Sequence, residues 1–344
     1  MRRLLVAVSV IAMLLIVVAG ASAVLGVGPF APGAAASAVY VALSRSTDEA
    51  DAREIEVIDL AAGTRDLFEA GGKITTMTLS PDRRSLYVAV DSGRVLFLDA
   101  ATGTKFAEVD LHAPTVTSLA FAPDGRTLFA LTASNVQGSV IPIDLDARKA
   151  GDPIVLPAGA SSAVARGDSL LVAISDQRST QVVFVSMTLR AVTDRLTLPR
   201  GSLAAPVTLR VSDTRTAVFT YDITGGGGGG IRAYLVNDPL HWDQLALPAP
   251  LGFQTGRLQT LLYATVTPAG LIHACVPSVA GARRYVITTD NQFTIAGSEC
   301  GPLGGSAEVL MARRDPAQLL VLDPATGQVK RTLPLAGVPA RLLR

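Results

Sequence analysis

The sequence has 344 residues, of which 49% are hydrophobic and only 17% are charged. This composition excludes a disordered chain and is sufficient to bury a large core. With 30 basic and 29 acidic side chains, the chain lacks the basic surface that binds nucleic acid, so we expect no nucleic-acid partner.

The N-terminal segment has the pattern of an export signal. Arg2 and Arg3 precede an uncharged apolar run, and Ala21-Ser22-Ala23 supplies the small residues of a cleavage site. We expect cleavage after Ala23; cleavage after Ala38 and retention as a membrane anchor are the alternatives, because the apolar run is long enough to span a bilayer.

Three segments follow from this pattern. Residues 1–23 are the signal peptide or anchor, residues 24–37 are an apolar linker rich in Gly, Pro and Ala, and residues 38–344 form the folded body. We expect that body to lie outside the cytoplasm, either secreted or held at the outer face of the cytoplasmic membrane.

A repeat of short apolar runs begins in the first third of the chain. The segment "SPDRRSLYVAV" from Ser80 is followed by "APDGRTLFALT" from Ala122 and by the fainter "ARGDSLLVAIS" from Ala165. The interval is about 42 residues, which is typical of a β-propeller blade. Residues alternate with period two within the runs, which indicates strands.

The first complete copy predicts four antiparallel strands, named A to D in chain order. They are Ile74 to Ser80, Ser85 to Val90, Arg94 to Asp99, and Thr104 to Leu111. The B strand recurs along the chain at Ala38 to Ser44, Ser85 to Val90, Thr127 to Thr132, Ser169 to Ser175, Thr216 to Tyr221, Gly270 to Val276, and Ala307 to Ala312.

These strands predict an all-β protein, a seven-bladed β-propeller of four-stranded antiparallel blades. The chain starts with a B strand and ends with a segment, Ala336 to Arg344, in the place of an A strand. We therefore expect the N- and C-terminal strands to pair and close the ring, which removes exposed sheet edges.

The segments Val95 to Leu111 and Pro123 to Leu131 resemble the YVTN-type propeller repeats of extracytoplasmic bacterial proteins, a family near the surface-layer and quinohemoprotein-like propellers. The resemblance extends over Ser80 to Leu156 and Gln318 to Leu335. It implies a fold and a location, but the family is functionally broad, so it implies no particular reaction.

Most of the motifs that resemble catalytic or ligand-binding motifs have a structural interpretation. Asp82 and Asp124 fit hairpin turns between A and B strands, and the aspartates of the "DAATG" type, Asp59, Asp99 and Asp323, fit turns between C and D strands. Gly225 to Gly230 precede a strand rather than a helix, so we expect a flexible loop and no phosphate cradle.

The scarce residue types are interpreted in the same way. His273 is expected in the core, and Trp242 is expected to pack on an outer strand, with ligand stacking as the alternative. Cys275 and Cys300 are expected to form a disulfide, because the protein is exported; two buried thiols are the alternative.

Topology predicts where a site lies. The A–B and C–D turns share one face of the disc, whereas the irregular B–C and D–A connections share the other, and irregular loops on a rigid scaffold are the usual place for binding. The candidate binding residues on this loop face are Arg45, Asp48, His112, Asp222, Phe253, Gln254 and Arg257.

Two functions remain from different classes. The first is a non-catalytic binding or scaffold module for a protein, peptide or glycan, with no cofactor, no metal site and a monomeric state. The second is a hydrolase or lactonase with an axial metal ion. We expect the first, because no residue cluster with catalytic spacing is evident in the sequence.

Overall fold

The structure is a computed structural model. It describes residues 37–46, 51–134, 136–175, 180–198, 208–211, 216–223, 229–238, 241–248, 263–276, 283–290, 292–304 and 308–343. None of these residues forms a helix long and apolar enough to cross a membrane. The predicted signal segment and linker lie outside the described residues, except for Ser37.

The first part of the chain forms the strands of blades 1 to 4. They are β1 (Ala38–Ser44), β2 (Glu54–Asp59), β3 (Arg65–Glu69), β4 (Ile74–Leu79), β5 (Ser85–Val90), β6 (Arg94–Asp99), β7 (Lys105–Asp110), β8 (Val116–Phe121), β9 (Thr127–Ala133), β10 (Gln137–Asp144), β11 (Lys149–Ala150), β12 (Ile154–Pro157), β13 (Ala160–Arg166), β14 (Ser169–Ser175), β15 (Thr180–Ser186) and β16 (Ala191–Leu198).

The second part forms blades 5 to 7 and returns to blade 1. Its strands are β17 (Thr208–Val211), β18 (Thr216–Ile223), β19 (Gly229–Asp238), β20 (His241–Pro248), β21 (Tyr263–Val266), β22 (Ile272–Val276), β23 (Arg283–Ile287), β24 (Phe293–Gly297), β25 (Leu303–Gly304), β26 (Val309–Arg313), β27 (Gln318–Leu322), β28 (Val329–Pro334) and β29 (Val338–Leu343).

The strands form seven antiparallel sheets, and consecutive strands are neighbours in each sheet except at the junction of the two ends and at β11 and β12 of blade 3. The first strands of neighbouring sheets contact one another around a closed ring, from β29 through β4, β8, β13, β17, β21 and β25 back to β29. The predicted seven-bladed β-propeller is therefore confirmed. In blade 3 the outer strand is divided into β11 and β12, which both pair with β10 on either side of Pro153.

The ring is closed by β29, which is the inner strand of blade 1. β29 pairs antiparallel with β1, from Tyr40 opposite Leu343 to Ser44 opposite Val338. Outside the sheet, Arg331 of blade 7 donates a hydrogen bond of 3.1 Å to the carbonyl oxygen of Leu60 in blade 1. The predicted pairing of the N- and C-terminal strands is thus confirmed.

The hydrophobic core is a series of layers between blades rather than one central cluster. Alternate residues of the B and C strands face the next blade and the previous blade, as period two requires. Between blades 1 and 2, for example, Tyr40 and Ile55 pack with Leu86 and Leu96. Each blade therefore contributes to two layers, and the blades are held by face-to-face apolar packing.

One position in the B strand also makes polar contacts between blades. The hydroxyl of Tyr40 in blade 1 donates a hydrogen bond of 2.9 Å to the carbonyl oxygen of Ala100, in the C–D turn of blade 2. At the junction of blades 6 and 7, Nε2 of His273 lies 2.8 Å from the carbonyl oxygen of Pro324, in the equivalent turn. Tyr40 and His273 therefore occupy equivalent positions, and His273 is a core residue as predicted.

The turn aspartates have the predicted structural role. Asp124 accepts hydrogen bonds from the backbone nitrogens of Arg126 and Thr127, at 2.8 and 3.0 Å. Asp323 accepts them from Ala325 and Thr326, at 2.9 and 2.8 Å. These carboxylates satisfy backbone donors that the turn leaves unpaired.

The other structural predictions are confirmed with small corrections. Cys275 and Cys300 form a disulfide. Trp242 lies on the outer strand of blade 5 and packs edge to face on Tyr234, with ring centroids 5.4 Å apart. The B strand of blade 6 begins at Ile272 and not at Gly270, because Gly270 closes a turn through a 2.8 Å bond to Thr267.

Two further corrections concern blade 5. β18 continues to Ile223, so Asp222 lies in a strand paired with Gly230 and not in the B–C loop. β19 begins at Gly229, so the last two glycines of the run belong to a strand, while Gly225 to Gly228 lie outside the described residues.

Candidate functional site

The loop face has a cleft of about 550 Å³ at blade 1, beside the connection that leads into blade 2. Its floor and walls come from the B–C connection of blade 1 and from the D–A connection that follows β3. We call it the loop cleft; its charged and glycine residues are Arg45, Asp51, Arg53, Glu54, Glu69, Gly71 and Gly72.

Backbone hydrogen bonds hold the two connections together. The nitrogen of Arg53 bonds to the carbonyl oxygen of Leu43 at 3.0 Å, and the carbonyl oxygen of Arg53 accepts a bond from Ala70 at 2.8 Å. The carbonyl oxygen of Ala52 accepts a third bond, from Ile74, at 2.7 Å. The segment from Asp51 to Arg53 is therefore fixed on both sides, which gives the cleft a rigid wall.

A second cleft, of about 430 Å³, lies on the same face between blades 7 and 1. We call it the closure cleft; it is lined by Ser44, Leu67, Leu335, Ala336 and Gly337, together with Arg45 and Glu54. Arg45 and Glu54 thus line both clefts, and they are the structural link between them.

Arg45 and Glu54 form an ion pair of unequal exposure. The side chain of Arg45 is 76% exposed, whereas that of Glu54 is 9% exposed. The hydrogen bond to Glu54 raises the pKa of Arg45 above its usual value, and the nearby charge of Glu69 acts in the same direction. Glu54 therefore places a largely buried carboxylate in the lining of both clefts, paired with the exposed guanidinium of Arg45.

Glu56 lies two residues further along the same strand and has a structural task. Its carboxylate pairs with Arg65 at 2.5 Å and accepts a hydrogen bond of 3.1 Å from the backbone nitrogen of Ala336. Arg65 also donates to the carbonyl oxygen of Pro334. Glu56 therefore links blade 1 to the connection that leads into β29.

Glu56 differs from the residues at the same position of the C strand in the other blades, as the register of the sheets shows. Every other blade has an apolar residue at this position of the C strand. These residues are Leu96, Ile141, Val183, Tyr234, Tyr285 and Leu320. A carboxylate at this position distinguishes blade 1 from the other blades.

The candidate binding residues from the sequence are only partly brought together. Arg45 lines both clefts. His112 is exposed between blades 2 and 3, where its Nδ1 lies 3.4 Å from Asp110, and it lines neither cleft. Asp48, Phe253, Gln254 and Arg257 lie outside the described residues, and Asp222 lies in β18.

The axial metal site that we considered as an alternative has no ligand set in the described part of the chain. No three His, Cys, Asp or Glu side chains come together there. The inner strands of the seven blades contain no Asp, Glu, His or Cys at all. Because divalent ions such as calcium need several oxygen ligands, these strands do not fit one.

Comparisons with known proteins show similarity in structure alone. No protein-family model matches the chain, and no curated protein matches it. The periplasmic gluconolactonase of Pseudomonas aeruginosa is 17% identical, with 89% of this chain and 98% of that chain covered and a TM-score of 0.62.

Two further solved structures are similar to the same degree. A candidate 6-phosphogluconolactonase of Bacteroides fragilis is 16% identical, with 90% of this chain and 99% of that chain covered and a TM-score of 0.63. The hydrazine synthase of Kuenenia stuttgartiensis is 14% identical, with 80% and 92% covered and a TM-score of 0.62.

These comparisons correct our main functional expectation. The non-catalytic binding or scaffold module is wrong as the preferred interpretation, because the propellers that this chain resembles are largely enzymes. At these identities the likeness shows the fold alone: the chain shares the β-propeller fold with the gluconolactonase and the other two proteins.

Proposed function

We propose that this protein is an extracytoplasmic hydrolase of the lactonase type, which opens a small, neutral, hydroxyl-rich lactone at the loop cleft. The observation that carries the proposal is Glu54, a largely buried carboxylate at the point where the loop cleft and the closure cleft share a wall. The solved gluconolactonase with the same fold supports the choice of reaction.

The reaction needs a base and a donor, and the pair supplies both. Glu54 accepts a proton from a water molecule as the water oxygen attacks the lactone carbonyl. Arg45 donates hydrogen bonds to the carbonyl oxygen as it gains negative charge. The ring carbon–oxygen bond then breaks, the leaving oxygen takes up the proton, and a hydroxy acid is released.

The ion pair itself is poorly explained by stability. A pair with an arginine as exposed as Arg45 contributes little to stability because solvent screens its charge, while burial of a carboxylate opposes folding. A chemical task therefore explains the buried carboxylate of Glu54 better than a contribution to stability does.

The charge of the cleft favours a neutral substrate. Three carboxylates, Asp51, Glu54 and Glu69, line the loop cleft with two arginines, Arg45 and Arg53. Arg53 is also paired with Asp51 at 3.0 Å. An anionic substrate would meet a small excess of negative charge, whereas the hydroxyl groups of a neutral sugar lactone match these polar side chains. The described residues provide no ligand set for a metal ion.

Location outside the cytoplasm is part of the proposal. The export signal pattern over residues 1–23 and the disulfide between Cys275 and Cys300 support it. The likeness of the repeat segments to YVTN-type propellers supports it as well. Residues 24–37 then act as the linker to the propeller.

The test is hydrolysis of δ- and γ-aldonolactones followed by pH-stat titration, with the uncatalysed rate subtracted. We expect Glu54→Gln to lower kcat/KM about 100-fold or more, and Arg45→Gln about 10-fold or more. Glu108→Gln, at an exposed carboxylate of blade 2, is the matched control and should leave the rate unchanged. A wild-type protein that is no faster than buffer, or a Glu54→Gln variant as fast as wild type, would overturn the proposal.

A further inference from the structure

Arg341 lies on β29, the innermost strand of blade 1, opposite Ala42 of β1. Its side chain is exposed although the strand is enclosed by β1 and by the inner strands of the neighbouring blades. A side chain that is accessible on an innermost strand faces the axial channel. The protein atoms around the channel desolvate the guanidinium and lower the pKa of Arg341, while the phenol of Tyr263 raises it.

Several hydroxyl residues occupy the same level around the axis. Tyr40 and His273 are equivalent, so Ala42 and Cys275, two residues further along, are equivalent as well. The inner-strand residues opposite this B-strand position are Arg341, Thr76, Ser118, Ser162 and Tyr263. One guanidinium, one phenol and three aliphatic hydroxyls therefore belong to one ring of positions.

The residues that precede Thr76, Ser118 and Ser162 in the sequence also carry hydroxyl groups, and each of these groups already has a hydrogen-bond partner. Thr75, Thr117 and Ser161 donate to carbonyl oxygens of their own B strands, at 3.3, 3.4 and 3.4 Å. Ser118 differs, because its oxygen accepts a 3.1 Å bond from the backbone nitrogen of Ala163 in the next blade. The proton of the Ser118 hydroxyl remains for a second acceptor.

Within the part of the chain that the structure describes, no carboxylate pairs with Arg341. The seven inner strands contain no Asp or Glu, and the D–A connections that lead into them contain one acidic residue in their sequences, Glu299. Glu299 pairs with Arg313 at 2.5 Å. Among the described residues, Arg341 itself makes no ion pair.

A guanidinium on an inner strand that has no counter-charge among the described residues is an unusual arrangement. Desolvation of a cation opposes folding unless an anion or hydrogen-bond acceptors compensate. Channels lined by one sign of charge attract ions of the opposite sign, and the planar guanidinium matches the two oxygens of a carboxylate or phosphate. A bound oxyanion would therefore compensate the charge of Arg341.

We propose that the axial channel binds one small oxyanion, a carboxylate or a phosphate, with Arg341 as its charged ligand and the hydroxyls of Thr76 and Ser118 as further donors. This site is distinct from the loop cleft, since none of the three residues lines that cleft. It does not depend on the proposed hydrolysis.

Isothermal titration at low ionic strength tests the site with two probes, inorganic phosphate and gluconate. We expect one anion per chain for at least one probe, and the probe that binds identifies the source of the oxyanion. Arg341→Gln should weaken binding about 10- to 100-fold, because a charged hydrogen-bond donor is removed. Arg341→Lys should retain part of the affinity, since it keeps the charge but loses the planar fork.

Arg126→Gln is the matched control, because Arg126 is an exposed arginine in an A–B turn, on the face of the disc opposite the loop face. It should bind as wild type does. Absence of binding of both anions to wild type, or equal binding by Arg341→Gln, would overturn the site. Loss of hydrolysis in Glu54→Gln with unchanged anion binding would separate the two proposals.

A second measurement uses the wild-type protein alone, so it does not depend on whether the Arg341 variants fold. Phenylglyoxal modifies accessible arginines, and mass spectrometry locates the adduct. Modification of Arg341 in the wild-type protein should be slowed by the anion that binds, while modification of Arg126 should not change. Equal modification of Arg341 with and without anion would contradict the proposal.

Discussion

Gly103, in the C–D turn of blade 2, lies against the ring of Phe68 in blade 1, so close that a Cβ atom at Gly103 would be 2.3 Å from the ring. Gly63 has the same place in the turn of blade 1, with a φ of 72° against 69° at Gly103, and a Cβ atom there would meet nothing within 4 Å. The two glycines share a backbone requirement and differ in packing.

This pair separates backbone strain from contact between blades. Gly63→Ala and Gly103→Ala should each lower the free energy of unfolding by about 1 kcal/mol through the positive φ. Gly103→Ala should cost about 1 to 3 kcal/mol more, because Phe68 must move. Urea denaturation measures both values, and equal losses would contradict the role of the turn in packing blade 2 on blade 1.

The hydrogen bond between Tyr40 and Ala100 should be measurable in the same way. Tyr40→Phe leaves the buried carbonyl oxygen of Ala100 without this donor, so we expect a loss of about 1 to 3 kcal/mol. Burial raises the pKa of Tyr40 to about 12, so its hydroxyl remains a donor at ordinary pH. Tyr87→Phe, at the equivalent position of blade 2, is the control and should cost less.

His273 predicts a pH dependence of stability. Burial lowers its pKa below the ordinary value of 6.5, so the unfolded chain binds this proton more readily than the folded protein. The contribution of His273 is complete above the unfolded pKa and is lost as the pH falls toward the folded pKa. Stability should therefore decrease as the pH falls below about 6.5.

A variant identifies the residue that titrates. His273→Tyr introduces the residue that blade 1 has at this position, which does not titrate in this range, so the slope of stability against pH should become smaller. His112→Tyr, at an exposed histidine, should leave the slope unchanged. An unchanged slope in His273→Tyr would assign the pH dependence to other groups.

The disulfide should contribute substantially to stability. It closes a loop with a sequence separation of 25, which corresponds to about 3.5 kcal/mol in the chain-entropy model. Reduction should lower the urea midpoint by the corresponding amount. The double variant Cys275→Ser, Cys300→Ser should show the lower midpoint with and without reductant, and a wild-type midpoint in either case would contradict the assignment.

Much of the fold could be predicted because turn chemistry and period two agree. The B strands at Ala38–Ser44, Ser85–Val90 and Ser169–Ser175 have the predicted bounds. Agreement fails where one residue changes the local geometry. Gly270 adopts a φ of 79° and closes a turn, which delays the start of β22, and β18 extends past Tyr221 because the glycines opposite it join the sheet.

The candidate site was less predictable, because its main charged residues lie in strands and not in the irregular loops that usually carry binding residues. Glu54 and Glu56 lie in β2 and resemble ordinary charged residues in the sequence. Their burial depends on blade 7, which lies at the far end of the chain. Arg341 is similar, since its place on the axis depends on the register of β29 against β1.

The pairing of β29 with β1 also has a consequence for biosynthesis. Blade 1 receives its inner strand from the opposite end of the propeller, so the unpaired edge of β1 is exposed until that end has been synthesised and has folded back. Arg341 arrives with this strand. The axial cation is therefore added last, and an anion held in the channel would report that the ring has closed.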